Sequence, residues 1–138
     1  MRTFIDSNIF VHAADARYPE KRGKAKSLLL EVKSRGDVTV ISTQVMQEFF
    51  QTATRKLSIS AQDAIAELRV MAQLETVLVR PAIILSAAEL TTSASISIWD
   101  ALIVTAAQTA GCNEVWTEDM QDGRKFGELE IVNPLVRR

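Results

Sequence analysis

The sequence predicts an α/β fold, a sandwich with helices on both faces of a mainly parallel sheet of four to five strands. Short apolar or β-branched runs alternate along the chain with longer segments of helical periodicity, the pattern of βαβ units. Crossovers between parallel strands are right-handed, which sends helices to both faces of such a sheet. The bulk composition agrees: 138 residues with 47% hydrophobic and 24% charged are the balance of one ordinary globular domain, so the whole of 1–138 is expected to fold as one unit.

The elements follow in order. "RTFID" is a short apolar run and reads as the first strand. A helix is expected over 21–35, with Ala25, Leu28, Leu29 and Val32 as its buried stripe and Gly36 closing it. "VTVIS" is β-branched and gives the second strand. The next helix, over 43–57, turns Val45, Phe49, Phe50, Ala53 and Leu57 inward. Ser60 caps a further helix with Asp63 at the capping-box position, "TVLV" is the third strand, and Pro81 is placed to start another helix. The helix in "SISIWDALIVTAA" ends at Gly111. "NEVWT" then supplies a fourth strand and "LEIVN" a fifth.

Composition excludes several classes. A single cysteine, Cys112, rules out an internal disulfide and a multi-cysteine zinc site and favours a reducing compartment. "MRTFID" meets a charge before a signal-peptide core could form, and the longest uncharged run, 101–113, is too short to cross a bilayer. A cytoplasmic protein without membrane attachment is expected. The net charge of −1 advertises no positive field, but setting aside four carboxylates as a metal site leaves +3 for the remainder. Lys21, Arg22, Lys24 and Lys26 form a positive run, read as the solvated face of a helix start or as phosphate guidance. Arg137 and Arg138 read as a loose tail.

The acids pose the functional question. Asp100 heads a helix that is apolar nearly all round, with only Ser97, Thr105 and Gln108 as a polar strip, so its carboxylate should be partly withdrawn from water. An aspartate in a first turn also complements the helix dipole, and that simpler role suffices for Asp100 alone. Asp6 closes the first strand and Asp119 follows the fourth. Ligands of open α/β sheets bind beyond the carboxyl ends of the strands, where both acids fall, although each alone also suits a turn. Glu48 lies on the polar side of its helix, and periodicity alone reads it as solvated.

Taken together, "FIDSNIFVHAAD", "ISTQVMQEFF", "ISIWDALIVTAAQTAGCNEVWTEDMQDG" and "LEIVNP" resemble the PIN domain, and more narrowly the toxin subunits of VapBC-type toxin–antitoxin pairs. The resemblance runs from first strand to last. It implies a three-layer α/β/α sandwich and a metal-dependent endoribonuclease that cuts single-stranded or loop RNA to leave a 5′-phosphate. The family's acidic quartet falls on Asp6, Glu48, Asp100 and Asp119, with Ser7, Asn8 and Thr117 as polar neighbours that orient the acids or touch substrate. Asp122 is a peripheral acid of the same loop, and His12 has no catalytic counterpart. A cognate antitoxin and a homodimer are also implied. The alternative is a PIN-fold module that has lost catalysis and binds RNA or a protein.

The chemistry fits such a quartet. Two carboxylates about 4 Å apart repel by roughly 4 kcal/mol at an effective dielectric of 20, so convergent acids need a cation or must take up protons. All-oxygen donors with one histidine and no cysteine pair point to Mg²⁺, with Mn²⁺ as a substitute. Asp6 and Asp100 would be the primary ligands, with Glu48 and Asp119 acting through water or a second ion. Rival chemistries find no support. One histidine cannot supply two-histidine RNA cleavage, and no G-x-S-x-G elbow exists. "RGKAKS" lacks the phosphate loop's earlier glycine and its closing GK[ST]. "DSN" lacks the second aspartate of a haloacid-dehalogenase-type phosphatase, and "TVLVRP" carries no phosphoacceptor aspartate for a receiver domain.

Overall fold

A computed structural model describes residues 1–136; Arg137 and Arg138, expected to be a tail, lie outside the described residues. Strands β1 (Arg2–Ile5), β2 (Val38–Ser42), β3 (Glu75–Val77), β4 (Glu114–Trp116), β5 (Lys125–Phe126) and β6 (Leu129–Val132) form one sheet of order β3-β2-β1-β4-β6-β5. All neighbours run parallel except the β5–β6 hairpin. The helices are α1 (Ser7–Ala14), α2 (Pro19–Ser34), α3 (Thr43–Arg55), α4 (Ala61–Met71), α5 (Pro81–Ala94) and α6 (Ile98–Thr109).

Alternation along the strands builds two cores. Phe4, Val40, Val115 and Ile131 pack on one face with Val45, Phe49 and Ala53 of α3 and Val104 and Ala107 of α6. Their strand neighbours Ile5, Trp116 and Val132 point to the other face, against Ile9 of α1 and Ala25, Leu28 and Val32 of α2. Each fully buried large apolar side chain contributes about 1.5–3 kcal/mol. A third, smaller cluster joins α5 to α6 through Ile83, Ala87, Ala101 and Leu102.

Two elements depart from expectation. The sequence reading assigns nothing between the first strand and residue 21, yet α1 starts at once after Asp6, which is its N-cap and accepts the Ser7 N–H. At eight residues, with Ile9 and Val11 β-branched, α1 is too short for a clear period. The sixth strand, β5, holds two residues and has no pattern to read. Within α6 the polar strip is also redistributed. Thr105 is buried, whereas Trp99, counted among the apolar residues, is 63% exposed. Helix α6 is therefore enclosed along its middle and open at its first turn.

Candidate active site

Strand register fixes the centre of the site. Ile5 pairs with Trp116 in β1 and β4, so the next residues, Asp6 and Thr117, leave the sheet side by side. The Asp6 N–H donates to the Trp116 carbonyl at 3.0 Å, and the Thr117 hydroxyl donates to Asp6 Oδ2 at 2.8 Å. That hydroxyl accepts from Asn8 Nδ2 at 3.0 Å and from the Asp119 N–H at 3.1 Å, which uses both its lone pairs and leaves its proton for Asp6. Asn8 is oriented by its own carbonyl, which accepts the Glu118 N–H at 3.2 Å; its amide then faces Asp6 (3.3 Å) and Asp119 (3.1 Å).

Two more elements bring the remaining acids. Ser42 ends β2 and caps α3 by accepting the Val45 N–H, which places Glu48 in the second turn. Glu48 accepts from Ser7 Oγ at 3.3 Å and Gln44 Nε2 at 3.4 Å. Ser97 caps α6 by accepting the Asp100 N–H at 3.1 Å, so the simple capping role of Asp100 and its place at the site coexist. Asp6, Glu48, Asp100 and Asp119 line one cavity of about 310 Å³ together with Ser7, Gln44 and Trp99.

The electrostatics follow from burial without neutralisation. Asp6 is 6% exposed, and burial raises its carboxyl to about 6. Hydrogen bonds from Thr117 and Ser7 oppose the rise, and the charges of Glu48 and Asp119 add to it. Asp100 is also raised, by burial first and the Asp119 charge second, against the Ser97 hydroxyl. Among the described residues no ion pair joins any of the four acids to a basic side chain.

The donor set fits a hard divalent cation. The carboxylates offer oxygen donors, and among the described residues they have no cation of their own and the buried Gln44 Oε1 in the same wall has no partner. The acids share the cavity without being drawn to one point: among the described residues no three His, Cys, Asp or Glu side chains form a ready-made ligand cluster.

Asp122 does not join them. Its carboxylate accepts the Asn133 N–H at 2.8 Å and braces the loop to the end of β6. His12 lies on the far side of Asp119, its Nε2 2.6 Å from Glu118 Oε1. Sequence reasoning missed Gln44, whose amide ties Glu48 to the Trp99 carbonyl. Its place one turn before Glu48 on α3 was the available signal.

Fold and cavity together define a parallel α/β domain with an acidic ligand pocket at the carboxyl edge of its sheet. The chain belongs to the PIN domain family, whose model matches residues 3–124. No curated protein matches it. Among solved structures it is similar to VapC20 of Mycobacterium tuberculosis, described as a sarcin–ricin loop cleaving toxin, with a TM-score of 0.69 and 17% identity over 93% of this chain and 98% of that one. A toxin–antitoxin complex from Klebsiella pneumoniae gives a TM-score of 0.70 at 17% identity, covering 96% and 97% of the two chains. VapBC2 of Rickettsia felis, bound to a DNA fragment from its promoter, gives 0.67 at 18% identity over 95% and 97%.

Proposed function

We propose that this chain is a metal-dependent endoribonuclease that hydrolyses RNA phosphodiester bonds, and that it is the toxin of a toxin–antitoxin pair. One observation carries the reading: four carboxylates, from the ends of β1 and β4 and from α3 and α6, line a single cavity with no basic side chain among the described residues paired to them. Such an arrangement costs several kcal/mol unless a ligand supplies positive charge.

Asp6 and Asp100 would hold Mg²⁺ or Mn²⁺, with Glu48 and Asp119 reaching it through water. The ion would supply charge neutralisation and a lowered pKa for the attacking water. Thr117 and Asn8 fix the Asp6 carboxylate by donating to Oδ2, and the Thr117 bond opposes the rise that burial causes. Glu48, steadied by Ser7 and Gln44, is the acceptor for the proton that the water releases as its oxygen bonds to phosphorus and the bond to the ribose 3′-oxygen breaks. The departing 3′-oxygen takes a proton from solvent, so the upstream fragment ends in a 3′-hydroxyl and the downstream fragment begins with a 5′-phosphate.

The toxin role and an antitoxin partner draw on the likeness to toxin–antitoxin structures; a homodimer and a cytoplasmic location are proposed with them, from the motif resemblance and the composition. The absence of a ready-made three-acid cluster among the described residues favours a second reading, a PIN-fold module that binds RNA or protein without cutting. RNA digestion with Mg²⁺ or Mn²⁺, with and without EDTA, separates the two. Ion-dependent cleavage lost in Asp6→Asn and Asp100→Asn is the expected result. Cleavage that survives EDTA or both substitutions removes the mechanism, and no cleavage of any RNA by the ion-loaded protein selects the binding module. Growth arrest on expression, relieved by the product of a small adjacent reading frame, tests the toxin role.

A further inference from the structure

A second cavity, of about 490 Å³, adjoins the acidic one, and Ser7 and Asp119 belong to the walls of both. It is built differently. Arg17 holds Asp15 through Nε and its terminal nitrogen, each at 2.9 Å. Glu118 is shared between His12 Nε2 at 2.6 Å and Lys21 Nζ at 3.2 Å. Lys56, just past the end of α3, also lines the cavity and has no ion pair among the described residues. With Asp15 and Glu118 paired and Asp119 standing at the boundary with the acidic cavity, the far part of this wall offers Lys56 and the remaining donors of Lys21 to an incoming anion.

Beside these cations stands an exposed aromatic ring. Tyr18 is 58% exposed, with the Arg17 guanidinium 5.4 Å from its centroid. Arg17, Tyr18 and Lys21 carry the cavity onward into a shallower depression leading away from Asp119. Among the described residues Val11 and Leu57 are the aliphatic side chains of the wall, and the charged and polar groups outnumber them, which argues against a greasy peptide as occupant. Cations interleaved with an exposed ring are what a single nucleic-acid strand requires. Every base has a face to stack and every phosphate a charge to hold. In a duplex the bases are already stacked on one another, so the ring would be of no use.

We propose that this second cavity is the subsite for the nucleotide flanking the cut in a single-stranded RNA, with Tyr18 stacking on its base and Lys56 and Lys21 holding its phosphate. The proposal deepens the nuclease reading and rests on it for the position of the cut. Strand binding itself needs no ion and no turnover, so the two can fail separately.

The test is fluorescence anisotropy with the full chain in EDTA and a short fluorescein-labelled oligoadenylate, alone or annealed to oligouridylate. Tyr18→Ala is expected to weaken single-strand binding about fivefold or more, and Tyr18→Trp to restore it. Lys56→Ala should reduce the slope of log affinity against log salt by about 0.7, one phosphate contact on a single strand. In cleavage assays Tyr18→Ala should raise KM and leave kcat in place, a split that a folding defect would not produce. Binding by Tyr18→Ala as tight as wild type, or equal affinity for the annealed duplex, overturns the subsite even if cleavage is observed. Loss of affinity with the Tyr18→Trp rescue supports it even if no cleavage is found, and in that case the nuclease reading alone fails.

Discussion

Asp15 and Glu118, on one side of the Ser7–Asp119 wall, each have a basic side chain within hydrogen-bond reach, whereas Asp6, Glu48 and Asp100 on the other side have none among the described residues. Their acidities diverge accordingly. The Arg17 guanidinium holds Asp15 below the ordinary carboxylate range. Burial would raise Glu118, but hydrogen bonds from His12 and Lys21 outweigh it and bring it down. Asp6 and Asp100 go the other way, because burial acts on them with no counter-charge. Carboxylates in one fold, on two sides of one wall, thus divide into a set already neutralised and a set that needs a positive ligand.

The largest test of that division is catalytic. Asp6→Asn should lower ion-dependent cleavage about a thousandfold, some 4 kcal/mol of transition-state stabilisation, measured as single-turnover rate.

Next in size is the pH dependence of stability. With its folded-state pKa raised from 3.8 to about 6, Asp6 contributes stability that is full below 3.8 and lost as pH rises through 6. Its ionisation therefore costs the metal-free protein up to about 3 kcal/mol at neutral pH. Urea titrations in EDTA should show this group's contribution growing between pH 7.5 and 5. Added Mn²⁺ should raise the melting temperature at pH 7.5 and lose that effect as Asp6 protonates below 6. An Mn²⁺ effect that persists unchanged at pH 5 would remove Asp6 from the ion site.

Thr117→Val should cost about 1–3 kcal/mol in chemical denaturation, since the fully buried hydroxyl serves Asp6, Asn8 and the Asp119 N–H at once. It also removes a donor that favours the ionised carboxylate, so the acidic limb of the cleavage profile should move to higher pH.

The smallest effect belongs to the neutralised side. Arg17→Gln exchanges an ion pair whose basic partner is exposed to solvent screening and should shift the urea midpoint less than any of the changes above. Its sign in pH is opposite to that of Asp6: the contribution is present above the ordinary aspartate pKa and disappears as pH falls, so the variant and wild type should converge in acid.

The central strands were legible because β1, β2, β4 and β6 are buried on both faces and read as short β-branched runs between helices. Helices with strong end signals were equally legible: Ser60 caps α4 and Pro81 opens α5. Helix α1 and strand β5 were not, because neither spans enough residues for a period to emerge. At the site, Asp6 and Asp119 could be placed by the rule for sheet edges, and Asp100 by its greasy surroundings. Glu48 carried no such mark; only motif resemblance singled it out, since an acid on a polar helix face looks the same whether it faces solvent or another carboxylate.

The sequence by itself determined the alternation of strands and helices, the caps that begin α3, α4 and α6, and the order in which its acids occur, because each is written in local spacing and side-chain chemistry. Tertiary structure alone decided which of those acids meet and which are matched with bases. The Ile5–Trp116 register sets Asp6 beside Thr117, and α1 carries Ser7 to Glu48 and His12 to Glu118. Those pairings join residues 41 to 111 positions apart. The charge environment of a carboxylate depends on neighbours within a few ångströms in space, which spacing along the chain does not encode.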